Sequence, residues 1–182
     1  ALVLLVVFGG ISLAKAVTLS VGSAVPSPGP YDIHNFAGAD MDMNVIIALV
    51  EGHSHLLAQK WLERLRKEEG MEEYLIHPDA ELHERVEHAY REIGVYLDQP
   101  KHHVIAGHFR QTGRDRRKEG VPLAKVIRAI QLARSTLWQH LLEQGLFDST
   151  VNSYLALNLY RQIVAVFDNA VLHTIEGYFE EK

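Results

Sequence analysis

The amino-acid sequence predicts an all-α fold, a bundle of about five helices over residues 43–182. Apolar residues recur there at spacings of three and four, which is the period of an amphipathic helix. Residues that break helices interrupt this pattern at four positions, which are Gly70, Pro100, Gly120 and Gly145. Strand-like alternation of apolar and polar residues is absent outside residues 1–25. The composition, 47% hydrophobic and 23% charged, is typical of a globular domain.

The first 42 residues differ in composition from the rest of the chain. No charged residue precedes Lys15, and apolar residues dominate residues 1–25. Residues 26–42 are predicted to be a linker, because three prolines within five positions cannot continue a helix. The chain is therefore divided into an apolar segment, a proline-rich linker and one helical domain over residues 43–182.

Three interpretations of the apolar segment, residues 1–25, stay open. A membrane span needs about 20 apolar residues, and the run reaches that length only by including Lys15. A signal peptide fits the short apolar region, but the basic segment that normally precedes it is missing. The segment is alternatively foreign to the domain, with Met41 or Met43 as the natural start.

The first two helices are predicted from amphipathic stripes. One begins at Met43 and ends at Gly70, and the next runs from Pro78-Asp79 to Pro100. Apolar residues mark one face of each helix: Val45, Ile46, Leu49, Leu56, Leu57, Trp61, Leu62 and Leu65 in the first, and Leu82, Val86, Ala89, Tyr90, Ile93 and Leu97 in the second.

The remaining three helices are predicted in the same way. The third runs from about Lys101 to Lys118, and the fourth from Pro122, which suits a first helical turn, to Gly145. The fifth begins after Asp148 or Ser149 and is about 30 residues long, as its apolar pattern indicates. Its apolar face is too wide for one neighbouring helix to cover. This predicts that part of the face forms a homodimer interface. Burial inside a larger helical bundle is the alternative.

The eleven histidines are the candidate ligands for a metal ion or a haem. Two ligands on one helix lie three or four residues apart, and no two histidines have that spacing. His83 and His88 are five apart and diverge by about 140° on a helix. The Glu-x-x-His motif of di-iron bundles is also missing. The sequence thus predicts no cofactor and no metal ligand, although a site assembled from several helices, or a single haem ligand, stays open.

No motif in the sequence indicates catalysis. The chain has no cysteine, no Gly-x-Ser-x-Gly motif and no glycine-rich phosphate loop. Its glutamate runs have the pattern of solvated helix faces, and no pair of carboxylates is placed in an apolar environment. We therefore expect that the protein is not an enzyme.

One cluster of basic residues is a candidate surface for a partner protein. It comprises Arg110, Arg114, Arg116, Arg117 and Lys118, opposed only by Asp115. Four of the five, all but Arg116, fall on roughly one side of the third helix. A solvated helix end, an acidic partner and nucleic acid are the three interpretations. The net charge of −5 and the lack of interleaved aromatic residues beyond Phe109 argue against nucleic acid.

The segment after this cluster predicts a fixed corner between two helices. Gly120 ends the third helix, and Pro122 and Leu123 begin the fourth. Trp138 is large enough to fill the gap between the two helices, and Arg134 is a candidate to bond carbonyls at the corner. All five residues therefore have a predicted role in the fold.

The arginine-rich helix end, the corner and the helix that follows resemble the RsbRD-type N-terminal domain, a family of stressosome co-antagonists and PucR-like regulators. The resemblance covers roughly residues 43–180. It implies a globin-like helical fold without haem, a homodimer and a sensory role in stress-response signal transduction. The output function is implied to lie in a partner protein or in a separate domain.

Together, the residues and the resemblance predict a non-catalytic sensory or protein-interaction module. The implied location is cytoplasmic, with a membrane tether through residues 1–25 left open. The alternative function, which depends on the eleven histidines, is a haem- or metal-binding helical protein.

Overall fold

The computed structural model describes residues 43–98, 102–146 and 150–180, and these residues are all-helical and contain no strand. The predictions for the apolar segment, the linker and the start of the last helix lie outside them. Seven helices occur in the described part: α1 (Met43–Gly52), α2 (Ser54–Lys67), α3 (Asp79–Arg91), α4 (Ile93–Asp98), α5 (His102–Lys118), α6 (Leu123–Glu143) and α7 (Thr150–Phe179). None of them combines the length and the apolar character that a membrane crossing requires.

The all-α prediction is confirmed, but two of the five predicted helices are each divided in two. The first is interrupted at His53, whose backbone angles are φ −99° and ψ 10°. Its N–H still bonds the Leu49 carbonyl at 2.9 Å, so the interruption is a kink. The preceding Gly52 weakens the helix at this point. The second is interrupted at Glu92, with φ −93° and ψ 7°. Sequence periodicity continues through both kinks and therefore does not reveal them.

The other predicted helices keep their boundaries. α5 ends two residues before Gly120, α6 begins directly after Pro122, and α7 is 30 residues long. The glycines at two predicted stops have the left-handed backbone that ends a helix: φ is 75° at Gly120 and 84° at Gly145. Gly70 also has a positive φ of 72°, but α2 already ends at Lys67, before the extended Glu68.

α6 lies at the centre of the core and is held by two buried hydrogen bonds. The Trp61 indole N–H of α2 donates to the Ala129 carbonyl at 3.0 Å, and the Tyr90 hydroxyl of α3 donates to the Ala133 carbonyl at 2.9 Å. The two carbonyls are one helical turn apart, so α2 and α3 are fixed along the same face of α6. Burial raises the pKa of Tyr90, which keeps its hydroxyl a donor.

α5 and α7 pack so closely that glycine is required on both helices. A Cβ atom at Gly113 would lie 2.1 Å from the Thr174 carbonyl oxygen, and one at Gly177 would lie 2.0 Å from the Arg110 carbonyl oxygen. Both glycines are buried. The two helices are thus in backbone contact, and this crossing determines where the ends of α5 and α7 meet.

We predict that Gly177→Ala destabilises the protein by about 2–3 kcal/mol or more, because the new methyl group meets a backbone atom that cannot rotate away. Gly107→Ala is the matched control on α5, since nothing lies within 4 Å of a Cβ there. It should leave stability unchanged or raise it by about 0.5–1 kcal/mol. Urea unfolding of the full chain measures both, and equal effects of the two substitutions would contradict the close crossing.

Candidate functional site

The corner between α5 and α6 is fastened to the end of α7. Val121 is fully buried between Gly120 and Pro122, and its carbonyl accepts a hydrogen bond of 3.0 Å from the Tyr178 hydroxyl. The Pro122 carbonyl accepts the Lys125 N–H at 2.9 Å and so begins α6, where Leu123 is half-buried. Three helix ends therefore meet at one place.

Three arginines of the basic cluster bind the C-terminal end of α7. Arg110 pairs with Glu176 at 2.8 Å, and Arg114 pairs with Glu180. Arg117 donates to the Tyr178 carbonyl at 3.0 Å. Cations near the last carbonyls of a helix are stabilised by its dipole and satisfy acceptors that have no partner within the helix. A hydrogen bond from His173 and the neighbouring Arg110 lower the pKa of Glu176, so this carboxylate is charged at neutral pH.

The other two members of the cluster point elsewhere. Arg116 is only 6% exposed and lies 2.5 Å from Glu119, whereas Lys118 is exposed and pairs with Asp115 of its own helix at 3.2 Å. Lys118 therefore pairs within α5, unlike Arg110, Arg114 and Arg117, which bind α7. The five residues do not form one free basic surface, because most of their charge is used within the chain.

Arg134 and Trp138 lie away from the corner, and their predicted roles there are wrong. Arg134 pairs with Asp168 of α7 at 3.1 Å instead of bonding corner carbonyls. Trp138 packs against the Tyr160 ring of α7, with ring centroids 4.7 Å apart. It lies sixteen residues after Pro122, about 24 Å along α6, so it cannot fill a gap at the corner.

A charged network lies beneath the corner and centres on Glu119. Its two carboxylate oxygens are 3.3 Å from Arg85 Nη2 and 2.5 Å from Arg116 Nη1, and His77 Nε2 is 3.2 Å away. His77, Glu81 and Glu119 have the spacing of a metal site. Two guanidinium groups already neutralise this cluster, however, so it does not suit a cation.

A partly open cavity of about 310 Å³ adjoins this network and is lined mainly by α3, α5, α6 and α7, with Trp61 of α2 and Tyr96 of α4. Most of its lining is apolar, and Arg85, Arg116, His88 and His108 are among its few polar side chains. Burial and the neighbouring His88 lower the pKa of His108, so its ring is neutral at pH 7. Cavities of this size and character are typical of binding sites for small molecules.

A second group with metal-ligand spacing lies on the surface between α2 and α3. The Nδ1 atoms of His55 and His83 are 3.1 and 3.3 Å from the same oxygen of Glu87. Arg91 pairs with the other carboxylate oxygen, and the Gln59 amide bonds the His55 ring. Two histidines and one carboxylate are a common zinc ligand set, and such flanking groups orient ligands.

The kink at His53 brings a third group of titratable side chains together. His53 Nδ1 lies 2.9 Å from Nε2 of His140 on α6, and Lys60 Nζ is 3.4 Å from His140 Nδ1. His140 is only 1% exposed. Burial, the charge of Lys60 and the neighbouring His53 lower the pKa of His140 to about 4, against a small opposing effect of Glu143.

Three residues that form contacts at the cavity and the corner were not predicted from the sequence. Arg85, Glu119 and Tyr178 come together only in the fold, from α3, the corner and α7. One signal was available for Arg85, because it stands next to Leu82 and Val86 on the apolar side of α3. An arginine at such a position indicates a buried ion pair or a ligand contact.

We predict that stability falls as the pH is lowered from about 6.5 to 4. In this window the unfolded chain binds a proton at residue 140 and the folded chain does not, so acid favours unfolding. His140→Gln should flatten this part of the pH dependence. Urea unfolding of the full chain at pH 7, 6 and 5 measures the slope, and identical slopes for both proteins would refute the role of His140.

One comparison with known proteins gives a match. The family model described as "RsbT co-antagonist protein rsbRD N-terminal domain" matches residues 55–182. The matched region begins in α2 and includes the corner, the basic cluster and all of α7. No curated protein and no solved structure shows significant similarity to the chain.

Proposed function

Because the chain belongs to the RsbT co-antagonist rsbRD N-terminal domain family, we propose that it is a non-catalytic sensory module of signal transduction. In this proposal the helical domain acts as a homodimer and regulates an output function carried by a separate domain or a partner protein. Family membership supports the regulatory role, and the outward face of α7 is the observation that carries the proposed dimer.

The outward face of α7 has an apolar row that the described residues leave exposed. We call this the α7 row. Its large side chains are mostly exposed, with 77% for Tyr154, 54% for Leu157, 50% for Leu172 and 63% for Phe179. The opposite face of the same helix is buried in the core through Leu159, Ile163, Val166 and Ala170. Large apolar side chains repeated along one helix face favour contact with another protein surface.

The α7 row is complementary to itself when two copies pair antiparallel. A two-fold axis near Ala165 places Leu157 of one copy opposite Leu172 of the other. The same axis places the exposed Arg161 opposite the exposed Asp168, and small Ala165 side chains at the centre allow close approach. A two-fold interface needs this kind of self-complementary patch. The occupant that the α7 row fits best is therefore a second copy of the chain.

We predict that Leu157→Glu or Leu172→Glu weakens homodimerisation at least tenfold, since each places a charge in the apolar part of the interface. Sedimentation velocity of the full chain at micromolar concentration measures the association. Ile76→Glu is the matched control, because Ile76 is also an exposed apolar residue, 66% exposed, but lies in the α2–α3 connection. The proposed dimer would be refuted if the unmodified protein were monomeric. It would also be refuted if Ile76→Glu caused dissociation and the two α7 substitutions did not.

The alternative function, a metal-binding helical protein, is supported by the group of His55, His83 and Glu87. This group offers two imidazole nitrogens and one carboxylate from two helices that pack against each other. Zinc binds the neutral imidazole, so acid competes with the metal at this group. A metal at this position would join α2 to α3.

We predict that, if this alternative holds, the full chain binds one zinc ion and His83→Gln weakens binding at least tenfold. Calorimetric titration with zinc chloride at pH 7.5 is the measurement. His77→Gln, which alters the arginine-neutralised group, should leave zinc affinity unchanged. Absence of stoichiometric zinc binding, or equal losses in the two variants, would reject this alternative.

A further inference from the structure

The cavity described above has two chemically different ends. Arg85 and Arg116 lie at one end, next to the corner, whereas His108, Tyr96 and Phe109 lie at the other. His108 and Arg116 are eight residues apart on α5, which corresponds to about 12 Å along the helix. The three aromatic rings pack edge to face or tilted, with Tyr96 and Phe109 centroids 6.0 Å apart. The lining is thus divided into an apolar end and an end with two guanidinium groups, which we call the cationic end although Glu81 and Glu119 pair with these groups.

The cationic end carries hydrogen-bond donors without acceptors. Arg116 Nε and Arg85 Nη1 are both buried and have no hydrogen-bond partner among the described residues. Arg116 as a whole is 6% exposed, so water has little access to it. A buried donor of this kind is costly to leave unpaired, and a guanidinium group can only donate. A ligand that pairs with these two donors must therefore offer a hydrogen-bond acceptor.

We propose that this cavity binds an amphipathic monocarboxylate of medium chain length. The carboxylate head lies at Arg85 and Arg116, and the hydrocarbon tail extends along α5 towards Tyr96 and Phe109. Carboxylates are the acceptors that guanidinium groups bind most strongly, because the bonds are charge-assisted and often bidentate. The inference rests on the sensory role proposed above and names the chemical class of the signal.

Resident carboxylates balance the charge of both arginines near the head, so what they leave to a ligand is hydrogen-bond donors. Glu119 lies between the two arginines and Glu81 pairs with Arg85, while His77 contacts Glu119 from outside the cavity lining. Asp115 also lines the cavity, but it is bound by Gln111 and Lys118. The free donors of Arg85 and Arg116 are those that Glu119 and Glu81 do not use. The neutral His108 ring keeps the far end suited to a hydrocarbon tail.

Ligand in this cavity would touch the helix that carries the proposed dimer contact. Val166, Phe167 and Ala170 of α7 line the cavity, and the α7 row lies on the outer side of the same helix. A ligand in the cavity therefore changes the packing on the inner face of α7, without touching the α7 row on its outer face. A ligand that favours one packing of α7 would shift the dimer equilibrium by its differential affinity for the two states.

The test uses the full chain and two probes of matched length, decanoate and decanol, below their micelle-forming or solubility limits. Trp61 lines the cavity, so its fluorescence reports binding, and calorimetry gives the affinity. We expect decanoate to bind at micromolar concentration and decanol at least tenfold more weakly. Arg116→Gln should weaken decanoate at least tenfold and leave decanol unchanged. Arg117→Gln, the adjacent exposed arginine outside the cavity, is the matched control and should change neither.

Several outcomes would overturn the proposal. Equal affinities for decanoate and decanol would show that the arginines do not select the head group, and no binding of either probe would show that the cavity is not a site. If Arg116→Gln fails to fold, Ala89→Phe, which fills the cavity from α3, must abolish decanoate binding. Dimerisation measured in the same samples separates the two ideas, because a chain that dimerises but binds neither probe leaves the proposed homodimer intact while the ligand proposal fails.

Discussion

The backbone contact between α5 and α7 is the constraint on which the rest of the structure depends. Gly113 and Gly177 let the two helices approach until a single methyl group would collide with a carbonyl oxygen. This approach brings the arginines of α5 within reach of the last carbonyls and carboxylates of α7. It also brings Tyr178 to the corner, where its hydroxyl binds Val121. The basic cluster therefore serves chiefly to hold the C-terminal end of α7 against α5.

After this crossing, the two faces of α7 have different structural roles in the domain. Its inner face closes the cavity beside α5 and α6, and its outer face carries the apolar row. In the proposals above, a ligand in the cavity and a second copy on the α7 row would contact opposite faces of this one 30-residue helix.

The sequence was a good guide to the helices and a poor guide to the site. Two predicted boundaries, at Gly120 and Gly145, were readable because a left-handed residue ends a helix locally. The kinks at His53 and Glu92 were not readable, because hydrogen bonding and periodicity continue through them. Arg134 and Trp138 were placed at the corner by proximity in sequence, whereas both face α7. The burial of Arg116 was not predicted, although helical spacing had already placed it apart from the other four members of the cluster.

By itself, the sequence determined the all-α class, the corner at Gly120 and Pro122, and the existence of a long apolar last helix. These features follow from helical period and from glycine and proline geometry, which act over a few neighbouring residues. Only the tertiary structure decided which arginines face α7, which one is buried, and that a cavity lies beside it. Those outcomes join residues separated by 34 positions for Arg85 and Glu119 and by 66 for Arg110 and Glu176, beyond the range of any local pattern.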